Sequence, residues 1–499
     1  TAGRGEIGDH ISGALEEKEG QPGLAITRAL LTNFVPWSRG EIDQAWDMAM
    51  AGLDRARRSR VRMMSPAVEM QRCLHFRFSY HGYDVKPLHE NVAHTVGWLA
   101  PELHWQGPIG QFSGETKRVG IIFEYQPNHA MSIAFENWFK DLSKHDCEVI
   151  QITRNRGAMV LDGVDKVFIL DGQVGTARSQ LTRLGLDFLM FTEIGMDVFT
   201  YLLGFARMAR VQAVAGGHPV TTGCPEIDDF VAPGELETAS GQSCFCENLV
   251  RIPGLDFPRQ ERFADVGEIS GVRDSFGFSP STHIYYIPNG PHKILPEFDE
   301  VIADILEGDP DGVVLLALPH RGARMGWDEK IFSRLSARLG GAMERVHWHW
   351  SMEKTKFAKL CAEVDVVLDT PGFGMGTTGN YPLWYGTPVI GFDGAFLRER
   401  NTVSILRRYG LEELIAKDSN GFARKALEIG KDREARLTLR KRMRHDRERV
   451  FESGKFSKAL ARYVADRISE GDKRAESAFG EGTLGAGTRS EREAGQRNP

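Results

Sequence analysis

Apolar residues in this chain are grouped in short continuous runs from Lys117 onward. Residues 119–123, 148–152, 167–170, 188–191 and 211–214 are such runs, interrupted only by Glu148, Gln151 and Gln212, and stretches of helical spacing such as 134–142 separate them. Continuous runs of four to six apolar residues mark strands buried on both faces, as in a parallel sheet covered by helices. A second series follows an irregular stretch: 283–287, 312–317, 345–347, 364–368 and 388–391, with a helix over 295–306. Strands alternating with helices twice over predict two Rossmann-like, doubly wound α/β domains. Ligands of such sheets sit at the carboxyl ends of the strands, here in a cleft between the domains.

Upstream the pattern is helical. Leu30, Leu31 and Phe34 lead to a break at Pro36. Ser38 is placed to cap a helix that carries Ile42, Ala45, Trp46, Ala49, Met50 and Leu53 on one face. No 34-residue self-similarity occurs there. Beyond Ile468 periodicity disappears into Gly, Glu, Arg, Ser and Ala, a composition expected to be disordered. The expected division is an N-terminal helical domain over 1–115, a first Rossmann-like domain over 116–255, a second over 256–468 and a disordered tail over 469–499. In His347-Trp-His-Trp350 the alternation reads first as a core strand buried on both faces, and second as the neighbourhood of a ligand's base.

Composition narrows the function classes. The 499 residues carry a net charge of −6, with 26% charged and 41% hydrophobic residues. This balance gives no electrostatic ground for nucleic acid as a partner. No run of about 18 apolar residues exists, so no membrane span is expected. The first residues lack the apolar core of a signal peptide, and six scattered cysteines do not form a disulfide framework. Both observations fit a reducing cytoplasm. His89, Glu90 and His94 miss zincin spacing by one residue, and Cys244 and Cys246 have no second pair; no metal site is expected.

The stretch from Asp369 to Ile390 carries the chemistry. A buried strand ends at Asp369, a loop with Gly372, Gly374, Gly376 and Gly379 follows, and Thr377 and Thr378 precede a short helical segment. Small residues let backbone approach a ligand, and N–H groups at a helix start attract an anion. A diphosphate is the expected ligand. The alternative is a tight turn that needs glycine only for its backbone angles. Neither the Walker pattern nor a dinucleotide loop fits.

These residues resemble glycosyltransferase family 41, the O-GlcNAc transferases and bacterial protein N-glucosyltransferases. The resemblance rests on Asp369-Thr-Pro, Gly376-Thr-Thr-Gly379, Leu383-Trp-Tyr-Gly-Thr-Pro388 and the run 410–418. It also rests on 119–129, 210–222 with 226–229, and 247–253, in family order. Coverage is about 117–465, and the non-repeat N-terminal region is nearer the bacterial relatives. The resemblance implies a GT-B fold and inverting transfer of a hexose or N-acetylhexosamine from a UDP-sugar to a protein or peptide side chain. It implies neither metal nor other cofactor. Two alternatives carry the same fold: a polysaccharide or glycolipid acceptor, and an inactive binding module.

By the same resemblance, Lys293 is the phosphate lysine, and Asn289, Lys354, Gly376, Thr377, Thr378 and Tyr381 belong to the nucleotide-sugar site. Gly376 stands where the family often has His, Tyr381 where an acidic residue commonly holds the ribose, and Phe357 where the family has His. Phe357 then either stacks on the base or belongs to the core. His129 is the loop histidine of the first half, expected to take the acceptor's proton or to hydrogen-bond the transferring group. His218 is either an acceptor- or sugar-side residue or a turn histidine packed on the linker, and Glu124 is a further base candidate. His320 and Arg321 are expected to line the cleft.

Overall fold

A computed structural model describes residues 35–58, 76–107, 116–263, 266–267, 271–319 and 326–484. Leu30, Leu31, Phe34, His320 and Arg321 lie outside them. Seven parallel strands build the first sheet: β1 Lys117–Ile122, β2 Cys147–Thr153, β3 Lys166–Ile169, β4 Leu186–Phe191, β5 Ala209–Ala215, β6 Asp229–Pro233 and β7 Asn248–Ile252. Their spatial order is β3-β2-β1-β4-β5-β6-β7. The second sheet has β8 His283–Ile287, β9 Gly312–Leu318, β10 Val346–Trp350, β11 Val366–Leu368, β12 Val389–Phe392 and β13 Ile415–Ala416, ordered β10-β9-β8-β11-β12-β13. All pairings within both sheets are parallel. Strand order reverses beside β1 and beside β8, and each reversal opens a crevice at the strand ends. This is the two-domain α/β GT-B fold.

The central strands are apolar throughout because helices cover both faces. All residues of β4 and β11 are buried. The edge strand β10 differs from its expected burial: Trp348 is 45% exposed, because the strand ends the sheet and only Phe332 of the helix Trp327–Leu339, at 4.5 Å, is seen to meet its ring among the described residues. The helix expected over 134–142 instead runs Ala130–Phe135, followed by a 3-10 turn at Leu142–Lys144.

Ser38 caps its helix as expected. Its Oγ accepts the Glu41 N–H at 3.2 Å, and the helix runs Arg39–Arg58. It packs on the helix Lys86–Leu99 through Ala45, Ala49, Leu53, Val92 and Val96.

The chain crosses between domains twice. The last helix, Lys455–Leu484, returns to the first sheet, where Phe456, Leu460, Ala461 and Val464 pack against Val119, Ile121, Phe188 and Val211. Residues 455–468 therefore complete the first domain rather than the second. That helix also runs past 469, where composition placed the start of a disordered tail; 485–499 lie outside the described residues.

Candidate active site

The second domain sets a lysine beside a glycine loop. After β8, Asn289 is buried and donates through Nδ2 to Thr370 Oγ1. The 3-10 turn Pro291–Lys293 aims Lys293 at the loop that leaves β11. Lys293 Nζ donates to the Gly374 carbonyl at 2.8 Å and lies 4.4 Å from the centre of the Phe373 ring. Burial lowers the Lys293 pKa to about 8, against the pull of Asp369 in the other direction. The buried Asp369 accepts the Met375 N–H at 2.8 Å, and burial raises its pKa to about 6. A lysine and a carboxyl group with opposed shifts thus sit under one loop, a common mark of a functional site.

The loop needs its glycines at two points. Gly372 has φ +88°, and a side chain there would meet Leu295 Cδ1 at 2.7 Å. Gly376 has φ +57° with open space beyond it, and its carbonyl accepts from Asn401 Nδ2 at 2.9 Å. Thr377 and Thr378 stand half-buried in the 3-10 turn Gly376–Gly379. The helix that follows, Asn380–Tyr385, is only six residues long. Its dipole is small, so the lysine is the main positive charge at the loop.

From the first domain, the helix Ala130–Phe135 packs against the Gly376–Gly379 turn across the cleft. His129 caps this helix. Its Nδ1 accepts the Met131 N–H at 3.2 Å, and its exposed ring stacks on Tyr125 at 4.2 Å and 8°. Burial lowers the His129 pKa. A neutral imidazole that accepts at Nδ1 carries its proton on Nε2. In this state His129 offers a substrate a hydrogen-bond donor, not a base.

Farther along the cleft, Arg262 Nε donates to the buried Glu136 and so ties the linker to the first domain. Lys354 is exposed nearby, its pKa lowered by burial and by Arg262. Tyr381 is 7% exposed, with Phe263 at 5.3 Å and Phe357 at 5.4 Å, edge to face. Tyr381 and Phe357 thus pack on each other within an aromatic cluster. His218 is also buried, with its ring 6.3 Å from Phe373 and 6.4 Å from Tyr80. It therefore lies beneath the loop rather than merely on the linker.

Glu124 is engaged elsewhere. Arg154 Nε donates to its Oε1 at 2.7 Å, Nη2 reaches its Oε2, and Nη2 also lies 3.1 Å from Asp197. Glu124, Glu193 and Asp197 each bring an oxygen within 4.8 Å of the others. The guanidinium between them supplies the positive charge that such a group requires. Glu193 is buried and its pKa is raised well above the ordinary value by burial and then by Glu124.

The structure thus gathers Asn289, Lys293, Gly376, Thr377 and Thr378 around one loop, sets Lys354 and Tyr381 along the same cleft, and brings His129's helix against the loop from the opposite domain. Sequence reasoning missed Asp369 as a partner of Lys293, and it missed Phe373 and Tyr80. Asp369 could have been found, since it ends a buried strand at a ligand-bearing edge.

Comparison with known proteins bears on the family and the fold. Residues 264–460 match the model of glycosyl transferase family 41. A probable UDP-N-acetylglucosamine–peptide N-acetylglucosaminyltransferase SEC of Arabidopsis thaliana is 25% identical over 245 residues, 48% of this chain and 24% of that protein. A UDP-glucose:protein N-beta-glucosyltransferase of Actinobacillus pleuropneumoniae is 24% identical over 267 residues, 53% of this chain and 41% of that protein. The chain therefore spans well under half the length of these relatives. A solved Thermobaculum terrenum O-GlcNAc transferase variant superimposes with a TM-score of 0.69 at 20% identity, covering 94% of this chain and 88% of that one. That likeness shows the fold. Residues 264–460, which carry Lys293, the glycine loop and the threonine pair, are thus similar to glycosyl transferase family 41.

Proposed function

We propose that this protein is an inverting, metal-independent glycosyltransferase that moves a hexose or N-acetylhexosamine from a UDP-sugar to a protein or peptide side chain. The observation that carries this reading is the Lys293 ammonium held beside the Asp369–Thr378 loop. In the transfer, the bond from C1 of the sugar to the UDP oxygen breaks as the bond from C1 to the acceptor atom forms, and the acceptor's proton is released to water. Negative charge collects on the β-phosphate. Lys293, the Thr377 and Thr378 hydroxyls and the N–H groups of the loop are fixed where that charge develops, which favours the transition state over the ground state.

Lys354, Tyr381 and Asn289 are assigned to the nucleoside end and the pyrophosphate. His129, neutral and protonated on Nε2, is assigned as a donor to an oxygen of the transferring group. His218 lies under the loop as a sugar-side residue, and Glu124 holds Arg154 in place. The named relatives support a protein acceptor, and their donors, UDP-N-acetylglucosamine and UDP-glucose, bracket the sugar. Among the described residues the free thiols suit a reducing cytoplasm, and no helix is long and apolar enough to cross a membrane.

Incubation with a panel of nucleotide sugars and a protein or peptide acceptor tests the proposal. UDP release that depends on acceptor, with a matching mass gain on the acceptor, is the expected result. Binding of UDP with no transfer to any protein, peptide or glycan would favour an inactive module, and transfer to glycans alone would refute the protein acceptor.

A further inference from the structure

The glycine loop does not stand alone. A turn of the N-terminal region, residues 79–83, is docked against it. Ser79, Tyr80 and His81 are all nearly fully buried. Tyr80 stacks on Phe373 with centroids 4.4 Å apart and planes at 24°, and it meets His292 edge-on at 4.7 Å. Phe373 also meets the Lys293 ammonium, 4.4 Å from its centroid, and the His218 ring at 6.3 Å. The backbone is fixed as well: a side chain at Gly372 would stand 3.4 Å from the Tyr80 carbonyl. Arg398 ties the two segments together by donating to the Tyr83 carbonyl at 2.5 Å and the Gly372 carbonyl at 3.2 Å. Arg39 Nη1 donates to the His81 carbonyl at 3.0 Å, which locks the turn to the first helix.

We propose that Tyr80 is a positioning residue of the donor site: it backs the Phe373 ring, and the ring holds the Lys293 ammonium against the glycine loop where the diphosphate of the donor lies. The N-terminal helical region thereby supplies one layer of a site whose other layers belong to the second domain. The inference rests on the proposed donor chemistry, and it has a readout that does not.

The flat face is what the stack requires. Without it, Phe373 is free to rotate, the cation loses its ring, and water reaches the ammonium. The groups facing Lys293 are Asp369 from the end of β11, His292 on its own turn and His218 from the first domain. Tyr80 also meets the His292 ring at 4.7 Å and the His218 ring at 6.4 Å, contacts that a phenylalanine at this position keeps.

Tyr80→Phe keeps the ring, whereas Tyr80→Leu and Tyr80→Met fill the space without a planar face. In the full chain, UDP affinity at neutral pH is expected to weaken about tenfold in the Leu and Met variants and to stay within about twofold of wild type in the Phe variant. The nucleotide-free readout is the pH dependence of Lys293 acylation, followed by peptide mass spectrometry. Its midpoint, about 8 in wild type, is expected to move up toward 10.5 in the Leu and Met variants and to hold in the Phe variant. Thermal unfolding identifies which variants are folded, and Met stands in should Leu fail. An unchanged midpoint together with unchanged UDP affinity in a folded Leu or Met variant overturns the proposal. A loss shared equally by the Phe variant also overturns it. A shifted midpoint in a protein that does not bind UDP leaves Tyr80 as the positioning residue and refutes the donor reading instead.

Discussion

Lys293 gives the sharpest quantitative expectation. Its pKa is lowered to about 8 by burial, so the ammonium titrates within an accessible range. A charge-assisted hydrogen bond to a phosphate contributes about 1.5–3 kcal/mol. At about 2 kcal/mol, bound diphosphate raises the lysine pKa by about 1.5 units, since one unit corresponds to about 1.4 kcal/mol. The sign follows from linkage: the complex holds the proton more tightly than the free protein. UDP affinity is therefore full below pH 8, falls as pH rises through that value, and levels near about 9.5 after a loss of about 30-fold.

Lys293→Met removes the charge and keeps most of the length. The observable is the ratio of wild-type to variant UDP affinity by isothermal titration, because titration of the ligand itself divides out. The ratio is expected to be about 30-fold at neutral pH and to approach unity above about pH 9.5. Asp369, the facing carboxyl, titrates at about 6 and is ionised throughout this window. The wild-type transfer rate should exceed the variant's by about 100-fold or more, because charge on the leaving diphosphate is larger in the transition state. A ratio near one at neutral pH would make Lys293 a structural residue. A ratio that stays at 30-fold to pH 10 would refute the burial argument while leaving the contact.

Three further outcomes are expected. His129→Ala should leave UDP affinity nearly unchanged and lower transfer about 100-fold or more, whereas His129→Gln, which keeps a donor near Nε2, should retain part of the rate; equal loss in both would restore the base reading. Asp256 is part-buried in the interdomain linker, and burial raises its pKa to about 7, so the folded state holds the extra proton and that stability is lost as pH rises from 3.8 through 7. Asp256→Asn should accordingly raise Tm at about pH 8 and have little effect near pH 4, and an equal change at both pH values would show that its effect is not ionic. Transfer should survive EDTA, since Lys293 is placed to supply the positive charge; loss on chelation with recovery on adding Mn2+ would sink the metal-free mechanism.

The strands were legible where burial on both faces made them continuous apolar runs, as at 119–123 and 283–287. They were illegible where a distant element supplies what the local sequence lacks. The strand β6, Asp229–Pro233, opens on a charge and ends on a proline, yet every residue in it is buried. Asp229 is tolerated because Tyr463 Oη donates to it at 2.7 Å, Arg467 Nε at 2.8 Å and Asn248 Nδ2 at 2.9 Å. Two of those donors lie more than 230 residues away. The alternation of His347 to Trp350 likewise could not reveal that β10 forms a sheet edge, which leaves Trp348 outward.

The candidate site divides along the same line. The glycines, the threonine pair and Lys293 were legible because they follow strand ends within one domain, and chain order places them together. The proton position on His129 was not, because it depends on a helix that starts at the next residue and draws Nδ1 into its cap. Tyr80 was not, because an aromatic in an irregular N-terminal turn carries no local sign that it stacks on a loop 293 residues later. The family match begins at 264 and so contains the nucleotide half of the cleft but neither Tyr80 nor His129. The second domain alone holds the groups proposed to bind a diphosphate; those proposed to order its lysine and to face the transferring group come from the segments the match does not reach.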